Sequence, residues 1–290
     1  MKFTLAILLT SAALVSCASP GNRKPAGEQS HYLPALKPDG SKYHADDPAL
    51  RTGEGGLTIQ ILQTMARNHE FDKLNDLFNH GVSMDSLPVG FSAGKGDAFP
   101  NVPGDVEYML QFFIGTAWKG KFFFKSDDPK VSHGSNRIES LQASVPPHGP
   151  KPVAKFKTYL LERGERTDVF GQDLAVGATS NFVVLNYAHP VMEHSNNSFV
   201  ESLLQTGNTG AIPVFDVMVA VPGKYGPIYV GKTWKGTYDL KTETFTADDP
   251  TSLIAYYFLD YNKGALDEQA ANWHWVEGKE DKAAYYTKVK

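Results

Sequence analysis

Five stretches of this 290-residue chain constrain its fold more than any other feature: VAKFKTYLLER, NFVVLNYA, IPVFDVMVAVP, PIYVGKTWKGTYDL and SLIAYYFLDYN. Each is a short run rich in Val, Ile, Tyr and Phe, bounded by Gly, Pro, Asn or Asp, as strands between turns are. Long helical patterns do not alternate with them, which argues against a doubly wound α/β sheet. The expected fold is mainly β, an antiparallel sheet or a closed barrel, with one or two helices packed near its N-terminal side. The 13 Tyr and 17 Phe suit such strands and an aromatic-lined interior.

The helical signal is confined to the region before these strands. In LTIQILQTMARNHEFDKLNDLFNHG, the residues Leu57, Ile61, Leu62, Met65, Phe71, Leu74 and Phe78 recur at three- and four-residue steps and the pattern stops at Gly81. The spacing predicts an amphipathic helix with a break near Asn68. A second short helix is expected over DVEYMLQFFIG, with Val106, Met109, Leu110 and Phe113 along one side. Residues 17–56 are rich in Pro, Gly and charge and read as a flexible tether, which leaves 57–290 as a single β-rich domain.

The first residues bear on location. Lys2 precedes an apolar run over residues 5–15, too short to span a bilayer, and Leu14-Val15-Ser16-Cys17 follows. This tetrapeptide looks like a bacterial lipobox, so residues 1–16 read as a lipoprotein-type signal peptide and Cys17 as the lipidated start of the mature chain. Ala18 resembles the pattern that sorts such proteins to the outer membrane of a cell with two membranes. The other reading is an ordinary secretory signal with Cys17 discarded and the protein secreted. Cys17 is the only cysteine, so no disulfide can staple the chain and its core must fold it. The lipid would be the membrane attachment, since no later segment offers about 20 apolar residues. A net charge of −4 with no basic run argues against a nucleic-acid partner.

Three motifs suggest chemistry. GFSAG has the spelling of a nucleophile elbow around Ser92, and acids such as Asp216 or Asp260 precede His274 in triad order. An elbow needs a strand running into the serine and a helix leaving it, whereas KGDAFPNVPGD follows and cannot turn helical at once. GPIYVGKT satisfies the phosphate-loop expression, but its strand-forming residues cannot wrap a phosphate. HPVMEH places His189 and His194 five apart with Pro190 between them, which fits neither zinc helix motif, although a loop site could still use them. No cofactor or metal site is expected from these residues.

An internal echo carries the binding expectation. GTAWKGKFFFKSDDP returns as GKTWKGTYDLKTETFTADDP, each a Trp-Lys-Gly strand followed by an Asp-Asp-Pro turn. Trp118, Lys121, Phe123, Tyr229 and Trp234, with Phe124 and Tyr257, would line either a filled core or a cavity for an apolar ligand. Lys121 reads as a solvated strand residue or as a ligand clamp.

Taken in order, Gly90-Phe91-Ser92-Ala93-Gly94, Trp118-Lys119-Gly120-Lys121-Phe122-Phe123, LNYAHPVMEH and AYYFLDY resemble the GXWXG family of small bacterial domains. Ser92 stands where that family has tryptophan. The resemblance implies a sheet or lipocalin-like barrel and favours binding over catalysis. The expected function is therefore an exported, lipid-anchored domain that binds an apolar or amphiphilic small molecule. The alternatives are a hydrolase using Ser92 or the His189/His194 region, and a structural or surface-interaction lipoprotein of the cell envelope.

Lipidation predicts that Cys17→Ser releases the protein from membranes in an uncleaved or miscleaved form. Fractionation with mass spectrometry of the mature N-terminus checks this, and an unmodified start beyond residue 17 would exclude the anchor.

Overall fold

The computed structural model describes residues 32–101, 118–138, 151–162, 180–187, 214–239, 241, 244–247 and 253–261. The strands among them are β1 (Gly90–Ala98), β2 (Trp118–Phe123), β3 (Val131–Ile138), β4 (Lys151–Leu161), β5 (Phe182–Asn186), β6 (Val214–Val221), β7 (Ile228–Asp239), β8 (Thr244–Ala247) and β9 (Leu253–Asp260). All their pairings are antiparallel. β1 to β7 follow one another as a meander, β7 also pairs with β9, and β9 pairs back onto β1. Eight strands thereby close into a barrel, which removes the free edges that an open sheet would expose. β8 stands outside the ring, bonded to the far part of β7 over Gly236 to Asp239. The mainly β expectation holds, in its barrel form.

The pleat sends alternate residues to opposite faces, and β6 shows both destinations. Val214, Met218 and Ala220 belong to the interior cluster, while Phe215, Val217, Val219 and Val221 lie in the cluster under the helices. Burial on both faces is why this strand reads as an almost unbroken apolar run.

The periodic segment forms two helices, α1 (Ile59–Arg67) and α2 (Phe71–Asn79), broken where the sequence indicates. Thr58 caps α1 by accepting the Ile61 N–H at 3.3 Å. His69 then takes a left-handed conformation (φ 56°), which turns the chain into α2. Leu62, Ala66, Leu74, Leu77 and Phe78 pack on the outside of the barrel against Phe215, Val217, Val230 and Phe258. The helix expected over 105–115 lies outside the described residues, as do residues 17–31.

From residue 32 onward the expected tether is part of the folded unit. Tyr43 and Leu50 are buried in the barrel's interior cluster beside Val82, Met84 and Leu87. Tyr43 exchanges backbone hydrogen bonds with Ser83 and Asp85 (2.8 and 3.0 Å), and the Thr52 N–H donates to Gly223 O at 2.9 Å. Asp47 holds a single 3-10 turn, Pro48–Leu50, by accepting the Ala49 N–H. Two well-spaced apolar side chains and a few backbone bonds are enough to lay a Pro- and Gly-rich segment over the end of the barrel where β1 begins. The folded boundary therefore lies at or before Tyr32, not at 56.

Inside the barrel, aromatic rings lie on glycines of the adjacent strand. Gly231 pairs with Tyr257 and Gly134 with Phe156, and a Cβ at either glycine would overlap the ring. At Gly120 the constraint is the backbone itself: the β2 bulge requires φ 131°, and a Cβ would overlap the Ser92 carbonyl oxygen. Gly231→Ala should therefore cost about 1–3 kcal/mol through overpacking. Gly120→Ala should cost more, because its clash is with backbone. Urea denaturation measures both, and a wild-type midpoint for Gly120→Ala would mean that the bulge is not formed.

Candidate functional site

β2 runs across the barrel wall with Trp118, Lys121 and Phe123 turned inward. Phe123 packs on Phe156 at 5.7 Å between ring centroids. Lys121 is 3 % exposed, so an ammonium sits in the protein interior and needs a partner there. That partner is Asp216 of β6, 1 % exposed, with Nζ 2.9 Å from Oδ2. The remaining N–H bonds go to Asn136 Oδ1 (2.8 Å) and the Tyr187 hydroxyl oxygen (2.6 Å). Three donors thus meet three acceptors, the arrangement an ammonium requires.

The surrounding groups extend this cluster. Trp118 Nε1 donates to Asn136 Oδ1 at 3.0 Å, and the Tyr187 hydroxyl donates to Asp216 Oδ2 at 2.6 Å. Four rings face the ammonium: Tyr257 at 4.7 Å, Tyr187 at 5.3 Å, Phe156 at 5.4 Å and Trp118 at 5.5 Å. Burial lowers the Lys121 pKa, against the opposing pull of the Asp216 charge. Burial raises the pKa values of Tyr187 and Tyr257, and the nearby Asp216 carboxylate raises both further.

Not every polar atom here is satisfied. Asp216 Oδ1, the Tyr257 hydroxyl and Ser92 Oγ are buried and make no hydrogen bond. The Tyr257 hydroxyl nonetheless lies within reach of Asp216, whose charge and hydrogen-bonding capacity add to burial in raising its pKa. Unpaired buried groups of this kind mark a place where water or a ligand belongs.

The structure brings together four of the five expected ligand-binding residues. Trp118, Lys121, Phe123 and Tyr229 belong to the barrel interior, with Tyr229 edge-on to Tyr261. Trp234 does not join them. It packs under the helices with Leu62, Phe78 and Phe215, on the outer face that Ile228 and Val230 of the same strand share by simple alternation. The two Trp-Lys-Gly copies therefore play different roles. Phe124 packs on Phe122 rather than on this cluster. Lys121 is a buried residue, not a solvated one.

Ser92 sits inside β1 directly opposite Lys121. A strand continues on both sides of it, so the strained strand-to-helix turn of an elbow is not formed. Lys121 has all three N–H bonds engaged, so it offers Ser92 no lone pair as a base. GPIYVGKT runs into strand β7. Cys17, His189 and His194 lie outside the described residues. Among the described residues, no three His, Cys, Asp or Glu side chains converge to hold a metal ion.

Asn136 and Tyr187 were not expected as site residues, and Asp216 was named only as a possible triad acid. Asp216 carried a signal in the sequence, since it is the only charge in VFDVMVAV, a strand buried along its whole length. Removing one partner of a buried ion pair strands the other. Asp216→Ala should cost about 3–5 kcal/mol, and the double variant Asp216→Leu with Lys121→Met should recover most of that. Chemical denaturation of these two variants and of Asp216→Leu and Lys121→Met singly checks this, and additive losses would show that the two charges do not interact.

No family model matches the chain, no curated protein is similar to it, and no solved structure resembles it.

Proposed function

We propose that this chain is an exported, lipid-anchored barrel that binds an apolar or amphiphilic small molecule in its interior. The observation that carries the reading is the Lys121–Asp216 cluster, sealed among aromatic rings yet left with unpaired polar atoms. A buried ion pair is a poor stabiliser, since well-packed apolar residues of similar volume serve at least as well. Its presence is better explained by recognition. Ligand sites combine apolar walls with a few placed polar groups and occur in the mouths of barrels. The segment over residues 32–56 lies over the end where β1 begins. Export and anchoring rest on Leu14-Val15-Ser16-Cys17. The resemblance to the GXWXG domains points toward binding as well.

Titration with the neutral fluorophore N-phenyl-1-naphthylamine tests this reading. Binding should raise the probe's emission, quench tryptophan, and raise the melting temperature by mass action. Trp118→Phe should remove much of the tryptophan signal, and Trp234→Phe should leave it largely intact because Trp234 lies outside the barrel. A folded protein that binds no probe and shows no thermal shift would favour a filled core and a structural role.

A further inference from the structure

We propose that Lys121 and Asn136 form an intramolecular isopeptide bond, with Asp216 taking the proton that frees the amine, so that strands β2 and β3 become covalently joined. The cross-link goes beyond the binding reading above and does not depend on it. Register supplies the first requirement, since Lys121 and Asn136 are directly opposed on the paired strands and their side chains meet in the interior. Nζ lies 2.8 Å from Asn136 Oδ1, and the amide carbon Cγ that it would attack is one bond further on. Both Nζ and Trp118 Nε1 donate to this oxygen, which fixes the amide with Nδ2 toward Tyr187. A nucleophile and an electrophile held together in this way react as parts of one molecule rather than by encounter. With Cys17 as its only cysteine, the chain has no disulfide available, and the bond would staple the β2–β3 hairpin instead.

The second requirement is a neutral amine, because an ammonium has no lone pair. Asp216 Oδ2, 2.9 Å from Nζ, can take the proton, and the transfer turns two buried charges into two neutral groups, which a low-dielectric interior favours. Burial pushes the Lys121 pKa down in the same sense. The third requirement is help for a poor leaving group. Trp118 Nε1, 3.0 Å from Oδ1, is aimed where negative charge develops as Nζ adds to Cγ. Asn136 Nδ2 lies 3.3 Å from the Tyr187 hydroxyl, which is itself 2.6 Å from Asp216 Oδ2. Tyr187 therefore connects the acid to the departing nitrogen, and burial together with the Asp216 charge keeps it protonated between transfers. The Nζ–Cγ bond forms and the Cγ–Nδ2 bond breaks. Of the three Nζ protons, one stays on the new amide, one passes by way of Asp216 and Tyr187 to Nδ2, which leaves as ammonia, and one remains on Asp216 as a neutral carboxylic acid. No oxidant or other reagent is consumed.

Tandem mass spectrometry of tryptic peptides from the purified full-length chain tests the proposal. Trypsin cuts after Lys125 and Lys130, so residues 120–125 and 131–137 should stay joined as one species, lighter than the two peptides together by about 17 Da, the mass of the ammonia lost. Lys121→Arg should give no joined species. Asp216→Asn, with its fold checked by circular dichroism, should form it at least about a hundredfold more slowly. Two separate peptides of unchanged mass, from wild-type protein incubated until its mass is constant, would overturn the inference whatever the variants do. So would a loss of ammonia confined to residues 131–137 with Lys121 still cut by trypsin, which would mark a succinimide at Asn136, or a bond from Lys121 to Asp216 with loss of water. A folded Asp216→Asn protein that cross-links at the wild-type rate would overturn the role given to Asp216.

Discussion

The Lys121–Asp216 ion pair is the interaction around which the barrel interior is arranged. In the ring β1-β2-β3-β4-β5-β6-β7-β9, strands β2 and β6 stand four places apart, so the pair bridges opposite walls of the barrel. Two charges in a low-dielectric interior are strongly attracted, but each is also costly to bury, and the balance depends on completing their hydrogen bonds. Asn136 from β3 and Tyr187 after β5 do this for the ammonium, and four rings close around it. The electrostatics therefore tie together strands that the sheet's hydrogen bonds connect only through their neighbours.

Space for those rings comes from glycine. Side chains from eight strands converge on one interior, and they cannot all be large. Gly94, Gly134 and Gly231 yield room to Trp118, Phe156 and Tyr257, three of the four rings around Lys121. The fourth, Tyr187, is placed by its hydroxyl, which is bonded to both members of the ion pair. Packing and polar recognition thus use the same rings, and a change that disturbs one disturbs the other.

Much of the architecture was legible because it follows local periodicity. Strands β2, β4 to β7 and β9, the two helices and the break near Asn68 correspond to local runs in the sequence, whereas β3, VSHGSNRI, carries no apolar run and was not read as a strand. The site was only half legible. Trp118 and Trp234 occupy equivalent places in two nearly identical Trp-Lys-Gly stretches, yet one faces the interior and the other the helices. A single-residue bulge changes which face a side chain occupies: the β2 irregularity at Trp118/Gly120 turns Trp118 inward beside Lys121, whereas Trp234 follows the unbroken alternation of β7, and the bulge is not written in the local text. The segment over 32–56 was misread for a related reason. Composition reports how much apolar surface a segment carries, not whether Tyr43 and Leu50 will meet a cavity shaped to receive them.

What the sequence by itself determined is the class of structure: β-rich runs, one periodic helical segment, and no disulfide to substitute for a core. Only the tertiary structure decided the chemistry of the interior. Lys121 and Asp216 are 95 residues apart in the chain, and either alone reads as an ordinary charge in a strand. Closure of the barrel brings them to 2.9 Å, buries both, and sets the Tyr257 ring beside the ammonium and its hydroxyl near the carboxylate. Such a pairing depends on register and closure around the whole ring, and no local run of residues carries that information.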